Sequence, residues 1–160
     1  MTIKPYDREK AVLYAKYWAK RRNPAYYDFD GVGGDCTNFI SQCVYAGSEK
    51  MNYTPITGWF YINSTARTAS WTSVEYFYRF IVGNLSVGPF GRLIDQGDAE
   101  LGDVIQLGSE TGDFYHSLII SGFSDLGPLV CAHTVDALNR PLRSYYYARA
   151  RFIHIEGVRI

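Results

Sequence analysis

Apolar residues recur at helical spacing along the first half of the chain and at strand spacing along the second. The clearest stripe is Cys36, Phe39, Ile40, Cys43, Val44 and Gly47, one continuous helical face. Asp35 is a residue type that caps helix starts and Gly47-Ser48 supplies a stop, so the pattern predicts a helix from Cys36 or just after it. An earlier helix is predicted over Asp7–Arg22, carried by Ala11, Tyr14, Ala15, Trp18, Ala19 and Arg22, with Asp7 as its cap and Pro24 just past its end. Thr72-Ser73-Val74-Glu75 has capping-box spacing, and Val74, Phe77, Tyr78 and Ile81 extend a third helix to Gly83. Residues 48–70 are polar and turn-rich around Trp59 and read as a long functional loop.

After the Gly88-Pro89 break the period shortens. Leu101–Leu107, Tyr115–Ser121, Leu129–Val135 and Arg151–Ile155 read as strands, with a turn over Gly108–Gly112. Helices first and strands second, joined at hairpin-like spacings, predict an α+β fold with N-terminal helices packed on an antiparallel sheet. The 160 residues fit one domain, 1–160, around a single core. No internal repeat or low-complexity tract interrupts them.

Composition narrows the function classes. Hydrophobic residues at 47% and charged residues at 20% are those of a globular chain. Sixteen basic residues balance sixteen acidic ones, which argues against a nucleic-acid partner. No apolar stretch reaches membrane-spanning length. MTIKPYDREK lacks the apolar segment of a secretory signal, so the expectation is a cytoplasmic protein, or an envelope or secreted one whose export signal lies ahead of this chain. Fourteen tyrosines fit a core rim better than a groove for sugar or peptide ligands.

Cys36 stands out once the glycines before it are considered. A thiol attacks as its thiolate, and helix-start N–H groups and the helix dipole favour negative charge there, lowering the thiol pKa. The same N–H groups can hold the oxyanion of a tetrahedral intermediate. Gly33 and Gly34 permit a tight turn and close approach of substrate. Against this, Cys36 is also the first member of an apolar stripe, and free cysteine is commonly a small buried hydrophobe. Cys43 and Cys131 read as core. Three cysteines without a CxxC pair make neither a disulfide framework nor a zinc ribbon.

A cysteine nucleophile needs a base, normally histidine. His116 and His133 each lie at a sheet margin, His116 at the start of its strand and His133 at the end of its own. His154 alternates with Ile153 and Ile155 and reads as the solvent face of the last strand. Singly each is an ordinary histidine; with Cys36, His116 and His133 form a constellation.

Asp35-Cys36-Thr37-Asn38-Phe39-Ile40-Ser41-Gln42 resembles the nucleophile motif of the putative amidase domain family, a branch of the papain-like cysteine hydrolases. That branch is related to NlpC-type and CHAP cell-wall hydrolases, whose motif reads roughly Asp-Cys-Ser-Gly-Phe. Tyr6-Asp7-Arg8 with Asn23-Pro24 resembles the family's opening helix, and Ser70-Trp71-Thr72 its central segment. Leu101-Gly102-Asp103-Val104 and His116-Ser117 resemble its Gly-Asp and histidine strands, and Ala132-His133-Thr134 falls where NlpC-type enzymes carry a third polar residue.

The resemblance implies a papain-like, NlpC-type fold with Cys36 as nucleophile, His116 as general base and then acid, and His133 orienting His116. Asp136 and Asn139 remain alternatives for the third position. The Cys36 backbone N–H would form part of the oxyanion hole, with Tyr26 or Tyr27 available as second donor. Asp35 reads as a helix cap, and Asn38, Ser41 and Gln42, off the apolar stripe, as supports. Trp59 and Trp71 suit packing better than a substrate groove. The implied reaction is cofactor-free hydrolysis of an amide through a thioester, on a peptide or amide bond of bacterial cell-wall peptidoglycan. Two rivals stand beside it: a non-catalytic wall-binding module on the same scaffold, and a zinc hydrolase using Cys36, His116 and His133 as ligands.

Overall fold

The computed structural model describes residues 1–160. Helix α1 spans Arg8–Trp18 and α2 Cys36–Ser48; after the hairpin β2 (Tyr61–Asn63) and β3 (Ala66–Arg67) come α3 (Ala69–Thr72) and α4 (Val74–Gly83). The strands that pair into the main sheet are β1 (Ile3–Lys4), β4 (Gly88–Ile94), β5 (Val104–Gly108), β6 (Phe114–Ser124), β7 (Gly127–Ala132), β8 (Ala137–Pro141) and β9 (Arg149–Arg159). Every pairing is antiparallel, in the order β1-β9-β5-β6-β7-β8, with β4 also on β9. The α+β expectation holds, as a curled antiparallel sheet carrying a few helices.

Strand alternation splits the interior into two cores. Val104, Ile119, Cys131 and Ile153 join Phe39, Ile40 and Cys43 of α2 and Phe77 and Ile81 of α4. Their strand neighbours Ile105, Ile120, Val130 and Phe152 meet Leu107, Leu118 and Leu142 on the opposite face. Trp59 and Trp71 are both fully buried, 4.6 Å apart between ring centroids, in the helix-side core. They pack rather than line a groove.

Several boundaries differ from the sequence reading, each for a tertiary reason. The first helix begins as expected, with Asp7 accepting from Lys10 N, but ends at Trp18 rather than Arg22. The Trp18 carbonyl turns to Arg21 N and to the His133 ring instead of continuing the helical ladder. Residues 48–70, expected as one long loop, hold an Asn52–Trp59 bridge and the β2–β3 hairpin. The Gly88-Pro89 break is the start of β4, where proline is tolerated because the strand lies at a sheet edge. Gly91 is required there: a Cβ would lie 2.0 Å from the His154 carbonyl oxygen. Ser73, within the expected capping box, caps α4 by accepting from Tyr76 N. Strand β7 stops at Ala132, so His133 stands just outside it rather than within a strand reaching Val135. Strands β1 and β8 carry too few apolar residues to have been read.

Candidate functional site

The loop before α2 turns back through Val32 N and Gly34 N, both donating to the Phe29 carbonyl, with Gly33 and Gly34 at φ 85 and 95. These left-handed angles are open to glycine without strain. Asp35 follows at the N-cap position, but its side chain makes no cap bond. This corrects its reading as a cap. Oδ1 instead accepts from Phe29 N and Asn38 Nδ2, each at 2.9 Å, and Oδ2 lies 2.6 Å from His133 Nδ1. Competition from these three donors explains why the carboxylate ignores the helix end.

Helix α2 is buried on nearly every side, so Asn38, Ser41 and Gln42 are interior polar groups rather than an outer face. Each is satisfied: Asn38 by Tyr27 O and Trp71 Nε1, Ser41 by Trp71 O and Trp59 Nε1, Gln42 by the Tyr14 hydroxyl. They hold the aromatic layer to the helix that presents Cys36.

Cys36 is the first residue of α2 and 9% exposed. The Ser117 backbone N–H is close enough to its sulfur to favour the thiolate, and Thr37 Oγ1 lies at 3.7 Å. The availability of Ser117 N–H follows from the sheet. Ile120 N donates to Asp103 O, so alternation turns the Ile120, Leu118 and His116 amides toward β5 and the Ser117 amide toward β7. Because β7 has ended at Ala132, no strand takes that amide, and the sulfur fills the place. Thr37 Oγ1 and Ser117 Oγ lie 3.0 Å apart, Gln106 Nε2 donates to Ser117 Oγ, and Arg151 Nε donates to Gln106 Oε1. A buried polar chain thus anchors the sulfur's neighbour.

Burial pushes the Cys36 thiol up from its ordinary range, outweighing the Ser117 and Thr37 hydrogen bonds that favour the thiolate. The expected depression by the helix start is therefore not the net result. Desolvation of a sulfur near nine-tenths buried wins over a few donors. Cys43 and Cys131 are wholly buried, and burial raises Cys43 further. Iodoacetamide is accordingly expected to modify Cys36 ahead of Cys43 and Cys131, at a rate that keeps rising with pH above neutrality. Peptide mapping after short exposures checks this; label mainly on Cys131 would refute the order.

His116 lies on β6, paired with Leu107 of β5. Its ring shares the face of Leu118 and Ile120, 6.1 Å from the Tyr145 ring, while Ser117 and Ile119 face α2. Burial, with the nearby Arg140 cation, lowers its pKa to about 4. The imidazole is therefore neutral at neutral pH, and so is the thiol. The structure brings Cys36 against the His116–Ser117 segment, but no hydrogen bond joins sulfur to ring.

His133 lies elsewhere. Besides Asp35, its Nε2 is 2.8 Å from the Trp18 carbonyl and 3.2 Å from Arg22 Nη1, and its ring stacks on Phe39 at 3.9 Å. It makes no bond to His116. Asp136 pairs with Arg22, and Asn139 accepts from Ser121 Oγ, so neither of these reaches His116 either. His154, expected on the solvent face, packs against buried Asp103 at 2.9 Å, beside Arg8. The polar Asp103 draws it inward. Tyr26 stacks on Trp71, and Tyr27 gives its backbone N–H to the Tyr61 hydroxyl.

Arg22, Thr134 and Ser117 are the site residues that sequence reading missed. Arg22 gathers Asp28 and Asp30 from the loop just after it and Asp136 from more than a hundred residues away, and that distant half has no local spacing.

In comparisons with known proteins, the chain is 36% identical over 141 residues to "Uncharacterized protein YhbB" of Bacillus subtilis (strain 168), covering 84% of this chain and 43% of that relative. The chain thus spans less than half the relative's length. No solved structure matches. Residues 5–155 match the family described as "Putative amidase domain", and the chain belongs to that family.

Proposed function

We propose that this protein is a cysteine-dependent amide hydrolase of papain-like, NlpC-type architecture, with Cys36 as nucleophile and His116 as general base. The observation that carries this reading is the position of the Cys36 sulfur at a helix start, against the Ser117 amide that no strand takes, next to His116. Attack of sulfur on an amide carbonyl places negative charge on the carbonyl oxygen, where the Cys36 backbone N–H can meet it. His116 takes the thiol proton and returns it to the leaving amine; water then cleaves the thioester with His116 again as base. The His116 ring must swing round the open edge of β6 to reach sulfur, and no hydrogen bond on either ring nitrogen opposes that rotation.

The substrate proposed is a peptide or amide bond of bacterial peptidoglycan, on the strength of the motif Asp35–Gln42 and its likeness to NlpC-type and CHAP enzymes. The zinc alternative is the weaker one, because no group of three or more His, Cys, Asp or Glu converges as a ligand set. A purely wall-binding role cannot draw on Trp59 and Trp71, which lie in the core. Mass spectrometry of soluble fragments released from purified peptidoglycan is expected to show new amine and carboxyl ends. Binding to sacculi without any released fragment would instead favour the wall-binding module.

A further inference from the structure

The residue ahead of Cys36 is gripped by the segment that follows β7. His133 Nδ1 reaches Asp35 Oδ2 at 2.6 Å, and Asp35 N donates to Thr134 Oγ1 at 3.1 Å. The His133 ring stacks on Phe39 at 3.9 Å and 15°, one turn into the helix that Cys36 begins. Asp35 and His133 are each 1% exposed. Thr134 holds φ 54, a left-handed conformation that a β-branched residue adopts at a cost and keeps only where its surroundings dictate it. The Trp18 carbonyl takes the far side of His133, tying the grip to the end of α1.

We infer that His133 is a positioning residue for the nucleophile rather than for the base: through Asp35 it fixes Cys36 against the Ser117 amide and shields the sulfur from the neighbouring carboxylate. This rests on the reading of Cys36 as nucleophile, though the contact exists whatever the chemistry. Three further facts support it. A carboxylate has only acceptors to offer, so the short Nδ1 contact places a ring proton on Asp35. The Asp35 charge disfavours the Cys36 thiolate, so a donor that holds that charge favours it. The cation facing Asp35 is Arg22, 3.7 Å away, and Arg22 is already shared among Asp28, Asp30 and Asp136. Removal of His133 thus leaves Asp35 Oδ2 buried with only a divided Arg22 beside it, while Phe29 N and Asn38 keep Oδ1, and the burden falls on the sulfur.

The test reads Cys36 itself, independent of turnover. Iodoacetamide labelling of Cys36 is followed against pH by peptide mapping in the wild type, His133→Ala, His133→Asn, His133→Gln, Asp35→Asn, His116→Ala and the double variants of His133→Ala with the last two. His133→Ala is expected to slow Cys36 labelling near neutral pH on the order of threefold to tenfold and to move its midpoint to higher pH. His133→Asn, whose amide nitrogen replaces Nδ1, restores most of the rate; His133→Gln, whose nitrogen replaces Nε2, restores little. Asp35→Asn cancels the His133→Ala effect, whereas His116→Ala adds to it independently. If His133→Ala does not fold, the Asn and Gln variants decide by the same ordering. A melting temperature that drops with an unchanged labelling profile would make His133 merely structural. Coupling to His116→Ala in place of Asp35→Asn would return it to the role of orienting the base. Loss of the nucleophile reading shows differently, as turnover that survives Cys36→Ala while the labelling pattern stands.

Discussion

Cys36→Ala is expected to reduce amide hydrolysis on the order of 10⁴-fold or more, because deletion of a nucleophile that acts in concert with its base removes the whole covalent route. The fold should survive it. Cys36 is the most accessible of the three cysteines, at the end of its helix, and loss of one sulfur there leaves a smaller void than in the interior. The same substitution at Cys43 or Cys131 gives the reverse pattern: both are wholly buried in the helix-side core, so a loss of melting temperature is expected with specific activity retained in the folded fraction. Specific activity and thermal midpoint, measured side by side for the three alanine variants, separate the two effects. Full activity in Cys36→Ala refutes the cysteine mechanism, whatever the stability data show.

The sequence made the site's local half legible and hid its long-range half. The period of Phe39, Ile40, Cys43 and Val44 is a property of one helix, and it placed Cys36 at the helix start within a residue. The strands carrying His116 and Cys131 could likewise be read, because both cores draw on consecutive apolar residues there. What alternation cannot reveal is the partner of a polar residue. Asp35 has the composition of a cap, yet donors from Phe29, Asn38 and His133 claim it, the last of these 98 residues away. The sign of the Cys36 shift was misjudged for a related reason. Helix-end donors are visible in a sequence, whereas the burial that outweighs them arises from strands that arrive much later. Edge strands β4 and β8 were missed because proline and polar residues are tolerated where one side of the ladder is open.

His116→Ala is expected to lower turnover on the order of hundreds-fold or more, the usual worth of a positioned general base. Its pH signature is more diagnostic than its size. Burial and Arg140 hold the imidazole at about 4, so the base stays neutral well below the range of an ordinary histidine. The acid limb of kcat/KM is therefore expected near pH 4 rather than near 6.5, and it should disappear from the residual activity of His116→Ala. Stability follows the same group with a definite sign. The folded pKa lies below the unfolded one, so unfolding takes up a proton between about pH 4 and 6.5, and the wild type loses stability as pH falls through that window. His116→Ala removes that contribution, flattening the slope while leaving the midpoint at neutral pH nearly unchanged, since the half-buried ring makes no hydrogen bond. Denaturant titrations across that pH window, paired with the rate profile, measure both. An acid limb near 6.5 that persists in His116→Ala would assign the base to another group, and a collapsed midpoint at neutral pH would make His116 a residue of the second core.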